Sequence, residues 1–198
     1  APLRLHLHAA GVLSSDPAPE SEPTPFVYDP ADPTPSCGGR GMLIGGPEDN
    51  RELEARADVL TFTTEPWPAD LEISGAAEAE VYLTSDVGHF DVFARLCEVD
   101  SDDRSVNLSD KIIRIEPSTT ESTPDGAIRV RIQLSAVAAV IAAGHRLRLQ
   151  LSGGAFPRYA RNTCSGESLA DAQTLVVAHH QVHHDPARPS SLTLPVLA

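Results

Sequence analysis

AIRVRIQL (residues 127–134) and HRLRLQLSG (145–153) decide the fold. In both, apolar side chains take every second position while arginine or glutamine fills the others, the period of a strand with one buried and one wet face. Such one-sided alternation belongs to antiparallel sheets. Working outward, related patterns recur in LRLHLH (3–8), VLTFTT (59–64), DLEISG (70–75), AEAEVYLTS (77–85), FDVFARLCEV (90–99), SVNLS (105–109), KIIRIE (111–116), TLVVAHH (174–180) and SLTLPV (191–196). Turn residues separate them: Pro66 and Pro68, Gly75, Asp102-Asp103, Pro124-Asp125-Gly126 and Gly144. Roughly ten or more short strands at this spacing imply two packed sheets or a barrel. AVAAVIAAG (136–144) has helical propensity, but it is short and ends on Gly144, so it reads as a crossover loop or irregular strand. The fold class is all-β.

Other segments read as connections. SSDPAPESEPTP (14–25) has the composition of a mobile surface loop, and a short FVYDP segment (26–30) follows it. ADPTPSCGGRGMLIGG (31–46) is too heavily punctuated for a regular element, and PEDNRELEARAD (47–58) reads as a loop with at most one helical turn. The 17 prolines and 13 glycines suit short strands and long loops.

A chain of 198 residues with 41% hydrophobic residues has the size and core of one all-β domain and is not disordered. Its 15 basic and 28 acidic side chains give a formal charge of −13, which excludes a phosphate-backbone binder or an anionic-membrane binder as the first expectation. No apolar run approaches the ~20 residues of a spanning helix. With no charged-then-apolar leader at the start, cytoplasmic placement is the expectation, secretion staying open because a leader can be cut away.

The search for chemistry finds fragments. Gly166-Glu167-Ser168-Leu169-Ala170 has the letters of a nucleophile elbow, but a loop, RNTCS, precedes it where the elbow needs a strand. In HHQVHH, His179 to His183 spans roughly 13 Å along an extended strand, too far for one metal ion, so the run reads as a solvated hairpin end. Asp100, Asp102 and Asp103 lack the spaced ligands of a calcium loop and read as a hairpin turn. Cys97 reads as a buried small hydrophobe; Cys37 and Cys164 lie in Gly/Ser/Asn-rich loops, where the sequence leaves a bridge open. No catalytic residue, metal site or cofactor is expected.

Several segments together resemble one family. YDPADPTPSCGG is similar to the YDPxDPxPxxGG signature of cocaine-esterase-type hydrolases. RADVLTFTTEPWPADLEISG, FDVFARLCEVDSDDRSVNLSDKIIR, AGHRLRLQLSGGAFPRYARN and RPSSLTLPV resemble further segments of these proteins in the same order, from about residue 26 to the terminus. The chain resembles the C-terminal domain shared by X-Pro dipeptidyl-peptidases and cocaine-esterase-type acyl hydrolases. The resemblance implies a jelly-roll-like (galactose-binding-like) β-sandwich spanning residues 1–198, with long loops and at most short helices. The catalytic serine, aspartate and histidine then belong to an α/β-hydrolase domain absent from the chain. That hydrolase of the same polypeptide is the implied partner, and a homodimer is a second one.

By the same resemblance, Met42, Leu43 and Ile44 reach the substrate cleft, although Arg40-Gly41 shifts their register by about one residue. Phe156, Arg158, Tyr159 and Arg161 of FPRYARN fall at the cleft or the domain interface. The bland alternative has Phe156 plugging the sandwich end and Arg158 paired with a loop carboxylate. Asp102-Asp103 and Asp110-Lys111 depart from the relatives' Asp-Gly and are expected to alter turn geometry. Two rivals to an accessory domain remain. A stand-alone carbohydrate-binding module needs exposed aromatics, yet only 5% of residues are aromatic and Trp67 sits between two prolines. A cupin-like metal enzyme needs His-x-His ligands, for which His6 and His8 are the sole pair.

Overall fold

The computed structural model of the chain describes residues 1–40, 45–118 and 122–197. The described strands are β1 (Leu3–His8), β2 (Val12–Ser14), β3 (Thr24–Tyr28), β4 (Val59–Thr63), β5 (Leu71–Gly75), β6 (Glu78–Ser85), β7 (Phe90–Val99), β8 (Ser105–Ile115), β9 (Ile128–Gln133), β10 (Val137–Ile141), β11 (Arg146–Ser152), β12 (Ala178–His183) and β13 (Ser191–Leu194). One helical turn, α1 (Arg51–Glu54), accompanies them. The main ladder runs β3-β12-β6-β13-β1-β2-β4-β11-β7-β8, with β9 also on β6, and β10 pairs β5 separately. These pairings are antiparallel except where β2 meets β4 at Val12 and Thr63. The ladder wraps into a β-sandwich.

The alternation in AIRVRIQL and HRLRLQLSG does what its period requires. Val130 and Ile132 of β9, and Leu147, Leu149 and Leu151 of β11, enter one continuous core with Leu5, Leu7, Val81, Leu83 and Leu96. The opposite face of β11 is not wet, however. Glu54 of α1 lies over it, accepting hydrogen bonds from Arg148 and, at 2.6 Å each, from Gln150 Nε2 and Ser105 Oγ. The helical turn in PEDNRELEARAD is thus held by a polar contact as well as by its buried Leu53.

Three expectations are corrected, and the 14–25 segment is a surface loop that also touches the sandwich. AVAAVIAAG is neither loop nor irregular: five residues of β10 pair in register with β5, and this pairing overrides alanine's helical propensity. SVNLS and KIIRIE form one strand, β8, with a bulge opposite Leu96/Cys97 absorbing the break in pattern. The 14–25 loop is seated on the sandwich, with Ala18 buried and Ser21 Oγ bonded to His184 Nδ1 at 2.8 Å. HHQVHH is no solvated hairpin end. Most of it is strand β12, hydrogen-bonded on both sides, and His180, His183 and His184 are buried while His179 faces out.

The Asp100 cluster is a hairpin turn, Asp100 Oδ1 capping the amides of Asp102 and Arg104 at 2.9 Å each. Cys97 is buried, and all three cysteines are free: the Cys37 thiol donates to Asp49 O at 3.6 Å and makes no bridge to Cys164. Trp67 packs partly buried against the core, leaving little face for a sugar ring. No helix among the described residues is long and apolar enough to cross a membrane.

Candidate functional site: the glycine pair and the FPRYARN loop

The two segments with the most irregular sequence meet. Ser36 N donates to Phe156 O at 2.7 Å and Phe156 N donates to Thr34 O at 2.9 Å, so residues 34–36 and 156 form a short parallel bridge. Phe156 itself stands out from this bridge, 42% exposed. It does not plug the sandwich end. Tyr159 N closes a turn onto Ala155 O, and Arg161 Nη1 reaches Pro30 O at 3.0 Å. Thus Phe156, Arg158, Tyr159 and Arg161 occupy one loop whose backbone is bonded to the segment leading into Gly38. Met42, Leu43 and Ile44 lie outside the described residues.

Beneath the loop sits a buried ionic chain. Arg158 Nη1 and Nη2 donate to the two carboxylate oxygens of Asp110, each at 2.7 Å. Asp110 lies inside β8, so it is neither a turn residue nor a loop carboxylate. Its Oδ2 also accepts from Arg95 Nη2 at 3.0 Å, and Arg95 Nη1 donates to Asn50 Oδ1 at 2.6 Å. Arg95 is 0% exposed, on β7 directly opposite Asp110, and its Nε has no partner among the described residues. Burial alone pushes the Asp110 carboxyl up, but the hydrogen bonds of Arg158 and the charge of Arg95 outweigh it and hold the group below the ordinary carboxylate range. The bond to Asp110 likewise raises Arg158. Two rings and two guanidinium planes line the same place: Arg95 lies 5.2 Å from the Phe93 centroid, Arg158 5.0 Å from that of Tyr159, and the two rings are 6.3 Å apart.

From Asn50 the chain continues to the glycines. Asn50 Nδ2 donates to Glu48 O at 2.8 Å, and Asn107 Oδ1 accepts from Glu48 N at 2.9 Å. Asn107 Nδ2 donates to Gly46 O at 3.0 Å, while Gly39 and Gly46 exchange backbone hydrogen bonds at 2.9 and 2.8 Å. The glycine pair is a steric requirement. Gly39 has φ +88°, and a Cβ there would lie 2.2 Å from Arg158 Nη1 and 2.7 Å from Asp110 Oδ2; one on Gly38, at φ +55°, would lie 2.7 Å from Asn107 Oδ1. Substituting Gly39 by Ala is therefore expected to cost about 2 kcal/mol in urea unfolding, through left-handed strain and displacement of the Arg158–Asp110 pair. Beside this base opens a hollow of about 400 Å³ whose lining includes Gly39, Asn107, Asp110, Ser135 and Ala138.

Elsewhere the fragments of chemistry stay apart. Ser168 is an exposed loop residue that accepts the Asp171 amide on its carbonyl, with no strand leading into it. The carboxylate of its neighbour Glu167 is taken up by the amides of Gln173 and Thr174 at 3.0 and 2.9 Å. Among the described residues no group of three or more His, Cys, Asp or Glu is arranged to hold a metal ion. What sequence reasoning missed is Asp110, Arg95, Asn50 and Asn107. The available signal was Arg95, the charged residue within the otherwise apolar stretch VFARLC (92–97) of β7, which demands a buried counter-charge.

Comparison with known proteins shows the family. Residues 3–193 match the family model for the X-Pro dipeptidyl-peptidase C-terminal non-catalytic domain. The chain is 33% identical over 197 residues to a cocaine esterase of Rhodococcus sp. (strain MB1 Bresler), covering 94% of this chain and 34% of that protein. Among solved structures, an alpha-amino acid ester hydrolase labelled with selenomethionine superposes with a TM-score of 0.87 at 26% identity, covering 98% of this chain and 36% of that one. An aminopeptidase from a marine sediment archaeon, Thaumarchaeota archaeon, shares the fold with a TM-score of 0.88 at 21% identity, over 100% of this chain and 37% of the other. The chain spans about a third of the length of these relatives.

Proposed function

From its membership of the X-Pro dipeptidyl-peptidase C-terminal non-catalytic domain family, to which the chain belongs, we propose that it is the accessory domain of a serine acyl or peptidyl hydrolase. It packs on the α/β-hydrolase domain of the same polypeptide, forms part of the substrate cleft, and contributes no catalytic triad. The observation that carries this reading is Phe156, a large apolar side chain 42% exposed on a loop whose backbone and base are bonded into the sandwich. An aromatic held out rigidly at such a position is the anchor of an interface, because pre-ordering removes the entropy cost of fixing it on contact. In this role Phe156 and Tyr159 meet the hydrolase or substrate, Arg158 positions them through Asp110, and Arg161 ties the loop to Pro30. A cleft role for Met42, Leu43 and Ile44 is the second part of this proposal. The substrate class is an amide following proline, an ester or an acylated antibiotic precursor.

The test is hydrolysis of a p-nitrophenyl ester and an Ala-Pro-p-nitroanilide by this chain alone and by the longest polypeptide that carries it. Activity is expected only in the longer polypeptide, with Phe156→Ser lowering its kcat/KM roughly tenfold. Turnover by the 198 residues, lost on Ser168→Ala, would overturn the proposal.

A further inference from the structure

Strand β12 sends alternate side chains to opposite faces, and its inward histidine has an unusual setting. His180 is 1% exposed, its ring 4.7 Å from that of Phe26 on β3 and 4.9 Å from that of Phe90 on β7. Among the described residues, neither Nδ1 nor Nε2 has a hydrogen-bond partner. A neutral imidazole brings one donor and one acceptor, and both are here unmet; a second proton would add a charge and another donor with no acceptor in reach.

The neighbours offer no relief. From β3 and β7 they are phenyl rings, and from β6 the paired residue is Ser85. The charges that reach the ring are those of Asp86 and His179. Asp86 is already occupied by His179, whose backbone N and Nδ1 contact its two oxygens at 2.8 Å each. Burial pulls the His180 imidazole down to about 4, with Asp86 raising it in part and His179 lowering it further.

The same end of the sheet carries two more buried histidines. His183 Nε2 contacts Thr84 Oγ1 at 3.2 Å while Nδ1 has no partner; His184 bridges Ser21 Oγ at 2.8 Å and Thr24 Oγ1 of β3 at 3.0 Å. Burial lowers both: Arg188 lowers His183 further, with Asp185 and Asp125 opposing, and for His184 Asp185 opposes while His183 and His8 add to the lowering. Strand β3 ends the ladder and pairs only with β12 among the described strands.

We propose that the β3–β12 edge is an acid-operated latch, closed over neutral His180 and opened when that imidazole takes up a proton. The folded group is depressed, so the closed edge is fully favoured above the ordinary histidine range and is lost as pH falls through it. With a proton taken up near 6.5 in the open state and about 4 in the closed one, the opening constant rises about 30-fold between pH 7.5 and 5.0.

Hydrogen exchange by mass spectrometry, on the longest polypeptide carrying the chain and corrected for intrinsic pH dependence, reads this directly. Peptides spanning 24–28 and 178–183 are expected to accelerate about 30-fold, while those of β7 and β11 hold their rates. His180→Phe removes most of the acceleration, and His179→Gln leaves it. Equal acceleration across the whole molecule, none at the edge, or wild-type acceleration in His180→Phe overturns the latch. Should that variant fail to fold, ¹³Cε1-histidine NMR of the wild type decides: an imidazole of His180 titrating near 6.5 with the edge still protected also overturns it.

Discussion

Asp110→Ala is expected to lower stability by about 3–5 kcal/mol, read as a fall in the urea midpoint at constant slope. The carboxylate contacts two guanidiniums, and one of them, Arg95, is fully buried. Removing it leaves Arg95, among the described residues, with Asn50 as its one hydrogen-bonded neighbour and no paired carboxylate. Arg158, at the edge of the chain, is better placed to turn toward water, so most of the loss belongs to Arg95. Two further variants separate charge from volume. Asp110→Asn keeps an acceptor and is expected to lose roughly half as much. Arg95→Met combined with Asp110→Leu is expected to recover most of the loss, because apolar side chains of similar size often replace a buried ion pair without penalty. The pH dependence has a definite sign. Asp110 is held below the ordinary carboxylate range, so its contribution is complete above that range and fades as acid protonates it; Asp110→Asn should flatten this low-pH limb. A loss under about 1 kcal/mol for Asp110→Ala would show that the carboxylate is not desolvated between its arginines.

How much of this was readable beforehand follows from range. The strands of AIRVRIQL and HRLRLQLSG were legible because period-two alternation is a local property that one buried face enforces. AVAAVIAAG was misjudged because its state depends on β5, more than sixty residues earlier, and local propensity carries no trace of that partner. HHQVHH failed for a related reason: polarity suggested solvent, but the neighbours that bury His180 are Phe26 and Phe90, far away in sequence. In the candidate site, the FPRYARN and Gly38-Gly39 segments were visible through their resemblance and their turn-rich composition. The ionic chain linking them was not. Arg95, Asp110 and Arg158 come from two strands and a loop, and only pairing of β7 with β8 sets Arg95 opposite Asp110.

Phe90→Ala should produce a loss of about 3–5 kcal/mol at neutral pH. Phe90 opens β7, is buried, and belongs to the main hydrophobic cluster, so truncation removes most of a phenyl ring from a packed interior. For a chain of this size the melting temperature should fall by about 10 °C. The position also carries a second, opposite effect. Phe90 is one of the two rings that enclose His180, at 4.9 Å. A cavity there that opens onto the partnerless ring nitrogens has polar atoms to hold water, and water relieves the burial that depresses the imidazole. The variant is therefore expected to be less stable at pH 7.5, yet to lose less additional stability than wild type on going to pH 5.0. Phe90→Leu, which fills most of the space, should cost under about 1.5 kcal/mol and keep the wild-type acid sensitivity. Urea unfolding of the three proteins at both pH values measures this. A Phe90→Ala variant whose stability falls with acid as steeply as wild type would mean that desolvation by this ring is not what holds His180 neutral.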